Sequence, residues 1–197
     1  MPEKILGIDP GSRATGIALL EESDGSYVAS LCDVIRTDSI EDHTDRLQLI
    51  FEQISGVIKE FRPTSCAVET PVYGVDPLAM LKLGRAQAAA ILAATNEGLL
   101  IREYYPKAVK KAITGNGNAS KQQVAFMLRK MIRMPEEDIS MDASDALAVA
   151  WCHHTHMLRI RQTGDHSAKS GKKYHQNNKS SDWNTFVRQN PDRIRSS

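Results

Sequence analysis

Asp9, Glu69, Asp142 and Asp145 are far apart in the chain, and each falls where an apolar run ends or a helical pattern begins. Carboxylates gathered at one point repel each other and cling to their protons, so several can ionise side by side only beside compensating positive charge. Oxygen ligands with no His or Cys among them suit Mg2+, or Mn2+ in its place. Two such ions, about 4 Å apart, can turn water into a nucleophile and offset the charge on the 3′ oxygen leaving a phosphodiester. If the fold gathers these four acids, the chemistry they offer is metal-assisted phosphodiester cleavage. Taken singly each has a plainer use. Asp142 and Asp145, three apart at a helix start, serve equally as an N-cap and a first-turn acid, Asp9 as a turn former before Pro10-Gly11, and Glu69 as a strand-end surface acid.

The elements that would position them can be read from periodicity. Ile5 to Asp9 is a short apolar run ending in Pro-Gly, and Thr15 to Leu20 and Tyr27 to Ile35 follow around a Ser-Asp-Gly turn, a meander of three antiparallel strands. Leu47, Ile50, Phe51, Ile54, Val57, Ile58 and Phe61 recur at helical spacing until Arg62-Pro63. A fourth strand, Cys66 to Val68, runs into Glu69, and Pro71 ends its pairing. Pro77 to Glu97 is a helix apolar on nearly every side, which must be covered twice, by its own sheet and a second subunit in preference to a single thick core. Leu99 to Tyr105 gives a fifth strand, Lys121 to Arg133 a basic helix and Asp142 to Leu158 a closing helix. This order predicts an α/β fold, a mixed five-stranded sheet of three antiparallel strands followed by two parallel ones, with helices on both faces. Strands one and four, if adjacent and parallel, bring Asp9 and Glu69 together at the sheet edge where open α/β folds place their sites.

The chain has 197 residues, 41% of them hydrophobic, enough for one domain and an appendage. Its formal net charge of +1 conceals a strong segregation: Met1 to Ile101 carries a net −7, Arg102 to Arg133 a net +7, and the segment from Met157 onward a net +6. Local basic stretches on a near-neutral chain suit a polyanion bound over a limited footprint. Lys107, Lys110 and Lys111 precede Gly115-Asn116-Gly117-Asn118, and Lys121 opens the next helix, so ammonium groups and backbone amides can converge on phosphate. Three widely spaced cysteines suggest neither disulfides nor zinc. His153, His154 and His156 lie about 16 Å along the last helix from Asp142, and the helix dipole accounts for imidazoles near a C-terminus. Without a signal-like N-terminus or a long apolar run, the expected location is the cytoplasm and no membrane contact is expected. The domain is expected to span residues 1–159. From 160 to 197 the polar, basic composition predicts a disordered tail, with Trp183, Phe186 and Val187 as an isolated apolar cluster.

Several blocks together carry a resemblance to a known family. Ile8-Asp9-Pro10-Gly11 with Thr15-Gly16, Ala67-Val68-Glu69, Leu81-Lys82-Leu83-Gly84, Pro106-Lys107-Ala108-Val109-Lys110 and Asp142-Ala143-Ser144-Asp145-Ala146-Leu147-Ala148 resemble, in order, the motifs of the RuvC family of bacterial Holliday junction resolvases. The resemblance spans residues 3–158. It implies an RNase H-like fold, a homodimer, Mg2+-dependent paired nicking of four-way DNA junctions in recombination and repair, and RuvA and RuvB, a junction-migrating helicase complex, as partners. By motif the family's acidic tetrad falls on Asp9, Glu69, Asp142 and Asp145, and its phosphate-contacting lysines on Lys110 and Lys121. The family's junction-stacking aromatic falls at Val72, with Tyr73 one place later as its substitute. The usual glycine-glutamine-alanine-arginine run reads Gly84-Arg85-Ala86-Gln87, which shifts the basic group by half a turn to Arg85.

Two rival readings are weaker. Asp9 to Gly16 also resembles the first phosphate loop of the actin and sugar-kinase superfamily, but this chain is too short for the second lobe and adenosine loop that such proteins need. A protein that only binds branched DNA would use the same basic stretches and leave the acids structural.

Overall fold

The computed structural model describes residues 3–163, apart from Asp24, Tyr73, Val75 and residues 136–138. The meander expected from the sequence is present as β1 (Lys4–Asp9), β2 (Ala14–Ser23) and β3 (Ser26–Arg36), followed by α1 (His43–Phe61) and β4 (Ser65–Glu69). Then come α2 (Pro77–Asn96), β5 (Ile101–Tyr104), α3 (Pro106–Thr114), α4 (Lys121–Met131), β6 (Ile132–Arg133) and α5 (Met141–Thr163). The strands form one sheet in the order β5-β4-β1-β2-β3-β6. The β1–β2 and β2–β3 pairs are antiparallel, whereas β4 runs parallel to both β1 and β5.

Two elements depart from expectation. The sheet has six strands rather than five, because the chain leaves helix α4 at Ile132, which is buried in extended conformation and pairs parallel to Tyr27 of β3. Two residues are too short to display a strand period. The basic stretch after Tyr105 is a helix, α3: Pro106 sets its first turn, Val109 and Ile113, four apart, are buried, and Gly115 closes it with φ 75°.

Strand alternation sorts side chains between two cores. Leu6, Ile8, Ile17, Leu19, Cys66 and Val68 pack with α1 and α2 on one face. Ile5, Ala18, Leu20 and Ala67 face α3, α4 and α5 on the other. With side chains alternating every residue, Asp9 follows Ile5 and Gly7, and Glu69 follows Ala67, onto the α5 face. Helix α2 buries Ala86, Ala89, Ala90, Ala93 and Ala94, but Leu78, Leu81 and Leu92 are 60%, 50% and 60% exposed, so the described residues cover only one side of it.

The expected domain limit at 159 falls within α5, which continues to Thr163. The tail beyond that point, with Trp183, Phe186 and Val187, lies outside the described residues. The histidines are not at a helix end, as the sequence suggested, but in mid-helix, His153 and His154 buried and His156 half-buried. His153 Nδ1 is 2.8 Å from the Tyr104 hydroxyl, His154 Nδ1 is 3.1 Å from Glu3 Oε2, and His156 meets the Arg102 guanidinium. Burial pushes His153 down to about 4, so its imidazole is neutral and acts as a packing and hydrogen-bonding group rather than as a charge for the dipole.

Candidate active site

Register brings Asp9 and Glu69 together. Thr64 locks the start of β4 onto β1: its N–H donates to the Lys4 carbonyl at 2.7 Å, and its hydroxyl also donates to that oxygen at 2.9 Å. From there Ile5 pairs with Ser65 and Ile8 with Val68, so the next residues, Asp9 and Glu69, are lateral neighbours on one face. Beyond them the strands separate. Pro10 ends β1, and after the Thr70 N–H donates to the Tyr104 carbonyl at 2.8 Å, Pro71 ends β4.

The loop after Asp9 is held by residues from three places. The Gly11 N–H donates to Thr15 Oγ1 at 3.4 Å, and that hydroxyl donates back to the Gly11 carbonyl at 3.3 Å. The Thr37 N–H donates to the Arg13 carbonyl at 2.8 Å, and the Arg46 guanidinium reaches the carbonyls of Ile40 and Ser12. Thr15 and Thr37 are both fully buried. Sequence reading missed Thr37 and Arg46 as supports. Their contacts to Ser12 cross 25 and 34 residues of chain, and neither residue type carries a local signature for such a role.

Two glycines let the second acidic pair approach. A Cβ built on Gly7 would lie 2.1 Å from the Ala146 carbonyl oxygen, and one on Gly16 only 2.0 Å from that of Asp142. Helix α5 therefore rests directly on the backbone of β1 and β2, an approach available only to glycine. Its first turn is capped by Ser140, whose Oγ accepts from the Ala143 N–H at 3.2 Å; Asp142 is not the cap. This frees the Asp142 carboxylate, and Asp145 comes close enough to act electrostatically on both Asp9 and Glu69.

The resulting charge balance is unusual for a surface. Asp9 and Glu69 are joined by a hydrogen bond. Burial, opposed by that bond and reinforced by Asp145 and Asp142, pushes Asp9 up to about 6; burial and the Asp9 charge push Glu69 up to about 8. The two carboxyls therefore hold a proton between them well above the usual carboxylate range. The Asp145 carboxylate is paired with the Lys121 ammonium, whose own pKa that bond raises. A proton and an ammonium supply positive charge among these acids. Among the described residues, no three His, Cys, Asp or Glu side chains are arranged to share one ion. The donor chemistry nonetheless fits divalent cations: hard oxygens only, partly desolvated, with Lys121 already acting as a counter-cation.

A stability consequence follows from the raised pair. Each carboxyl binds its proton more tightly folded than unfolded, so its contribution to stability is present at low pH and is lost as pH rises through about 6 and about 8. His153 has the opposite sign, since its lowered pKa costs stability only below its ordinary value of roughly 6.5. Between roughly pH 6.5 and 8 the acids therefore dominate: in chelator, the melting temperature should fall across that window, and less steeply in Asp9→Asn. A flat wild-type melting profile would contradict the raised pair.

The other expected site residues are less closely gathered. Lys107 and Lys111 are exposed on α3 and Lys110 is half-buried there, and among the described residues none of their ammonium groups is in an ion pair. Arg85 is exposed on α2, on the opposite side of the sheet from α5. Tyr73 lies outside the described residues.

A mixed sheet whose first and fourth strands end in adjacent acids, facing a helix that carries two more, defines the RNase H-like class of nucleases. Within that class the chain belongs to the crossover junction endodeoxyribonuclease RuvC family, whose profile matches residues 5–153. The RuvC of Salinibacter ruber is 45% identical over 191 residues, covering 96% of this chain and 98% of that relative. The RuvC of Porphyromonas gingivalis is 42% identical over 193 residues, covering 97% and 96%. Among solved structures, T. thermophilus RuvC in complex with a Holliday junction substrate matches with TM-score 0.72 and 29% identity, over 79% of this chain and 94% of that one.

Proposed function

We propose that this chain cuts four-way DNA junctions, making paired symmetric nicks by divalent-cation-assisted hydrolysis in recombination and repair. The observation that carries the reading is the convergence of Asp9 and Glu69 from adjacent parallel strands with Asp145, under a lysine, on a protein of the RuvC family. Asp9, Glu69, Asp142 and Asp145 are the residues that would hold Mg2+, two ions per site, with Mn2+ able to substitute. When bound, such ions make water nucleophilic near neutral pH and offset the charge on the leaving 3′ oxygen. The chain's own contribution is positioning. Glycine-mediated contact fixes α5, Thr15 and Thr37 fix the Asp9 loop, and the Lys121 ammonium is placed to exchange Asp145 for a substrate phosphate.

The exposed leucines of α2 support a homodimer, because a junction of approximate two-fold symmetry is best met by two identical sites. Lys107, Lys110, Lys111 and Arg85 are proposed DNA contacts, with Tyr73 as the aromatic near the crossover. RuvA and RuvB are the partners that the family resemblance implies, and the cytoplasm is the location that goes with them; no helix of the described residues is long and apolar enough to cross a membrane.

Lys110→Ala should weaken junction binding and lower the slope of log affinity against log salt by about one, the signature of one lost phosphate contact. An unchanged slope would place Lys110 off the DNA. The function itself is tested by offering a four-way junction, a linear duplex and an RNA–DNA hybrid under one Mg2+ condition. Selective cutting of the junction, in symmetric pairs, is expected; equal cutting of all three would replace this reading with a general nuclease.

A further inference from the structure

Helix α4 carries a feature that hydrolysis does not use. Val124 and Leu128 fix its inner side, and on its outer side Phe126 is 59% exposed, a large aromatic that the described residues leave uncovered. Phe126 lines a groove of about 640 Å³ together with Gln122 and Gln123 of α4 and with Thr114 and Asn116 at the end of α3. Two of these amides have their oxygens already engaged. Gln123 Oε1 accepts from the Ser120 N–H at 2.9 Å, and Asn116 Oδ1 accepts from the Asn118 N–H at 2.9 Å. Those bonds fix the orientation of both amides and leave their NH2 groups as the donors available to the groove.

A cation stands over the ring. The Lys130 ammonium is 5.7 Å from the Phe126 ring centre. On α3, Lys110 is one turn before Thr114, and the Thr114 hydroxyl donates to the Lys110 carbonyl at 2.8 Å. From Arg102 to Arg133 the only acid is Glu103. A groove with amide donors, an aromatic face under an ammonium group and no carboxylate among its lining residues is complementary to an anionic chain with apolar rings at regular intervals.

We propose that this groove seats the deoxyribose-phosphate backbone of one junction arm, with a sugar packed on the Phe126 ring and phosphate oxygens taking the NH2 groups of Asn116 and Gln123. Lys121, the first residue of α4, holds Asp145, and Phe126 lies about 7.5 Å further along the same helix axis. One rigid element thus links the arm contact to the acids. The inference rests on the junction-cutting reading above and adds an arm-guiding surface to it.

The test uses the full chain and a fluorescent four-way junction in chelator, with binding measured by anisotropy across a salt series. Phe126→Ala removes the ring, and Gln122→Glu places a negative charge in the groove. Both positions are exposed, so matching melting curves should verify folding. Phe126→Ala should weaken binding roughly five- to ten-fold with little change in salt slope, as expected for a lost apolar contact. Gln122→Glu should weaken it most at low salt, where charge repulsion is least screened. Wild-type affinity in both variants, from a wild type that itself binds and cuts junctions, would overturn the groove assignment alone. A wild type that does not bind junctions would instead remove the functional reading on which it stands.

Discussion

Asp9→Asn should reduce junction cleavage by roughly a thousand-fold or more while leaving junction binding in chelator intact, because it removes a ligand charge without removing any DNA-facing cation. The same substitution should raise the melting temperature at about pH 8. Glu69 is protonated up to near-neutral pH largely through burial and the Asp9 charge beside it, so neutralising Asp9 relieves a repulsion that the folded protein carries. A variant less active and more stable is the expected mark of residues held together for chemistry rather than for folding. If the acids were structural, as in the DNA-binding reading, the variant would cut junctions at the wild-type rate, and gel-based cleavage assays would show it.

Gly16→Ala should have the second-largest effect. The added methyl would lie 2.0 Å from the Asp142 carbonyl oxygen and 2.5 Å from its carbon, and neither atom can move without lifting the start of α5. Overpacking of this kind costs about 1–3 kcal/mol, or a fall of about 2–4 °C in melting temperature per kcal/mol for a chain of this size. The loss of activity should exceed what stability alone would give, since the shift displaces Asp142 and Asp145 from Asp9 and Glu69. Gly56→Ala is the matched control: its Cβ would meet nothing within 4 Å, so melting and cleavage should both be preserved. Wild-type melting and activity in Gly16→Ala would show that α5 does not depend on this contact to reach the site.

These two variants also mark where sequence reading was adequate and where it was not. Strands β1 and β4 were legible because apolar runs end in Pro10 and Pro71, and alternation then places Asp9 and Glu69 on one face. Their adjacency was a guess about strand order, and the parallel Ile8–Val68 pair supports it. The approach of Asp142 and Asp145 was legible only through the family resemblance. In physical terms it depends on Gly7 and Gly16 meeting Ala146 and Asp142 across more than a hundred residues, a tertiary fit that no local period encodes. The plainer use of Asp142 as the cap of α5 was open in the sequence because Asp is as good a cap as Ser, and only the bond to Ser140 distinguishes them. Helix α3 was read simply as a basic stretch since lysines outnumber its two buried apolar residues. The histidines were read from their position near the presumed end of a helix that in fact runs on to Thr163, and their partners Glu3, Arg102 and Tyr104 come from distant segments.

The lysine on Asp145 ties these observations to the catalytic question. In the place proposed for a metal, burial and mutual repulsion hold a proton between Asp9 and Glu69, and the Lys121 ammonium is paired with Asp145. Soaking crystals of the protein in Mn2+ and mapping its anomalous scattering is the most direct measurement. Manganese should be found between Asp9, Glu69 and the start of α5, with the Lys121 side chain withdrawn from Asp145. Manganese bound elsewhere, or a Lys121–Asp145 pair left intact in the soaked crystal, would contradict the assignment of these acids as a metal-binding hydrolytic centre.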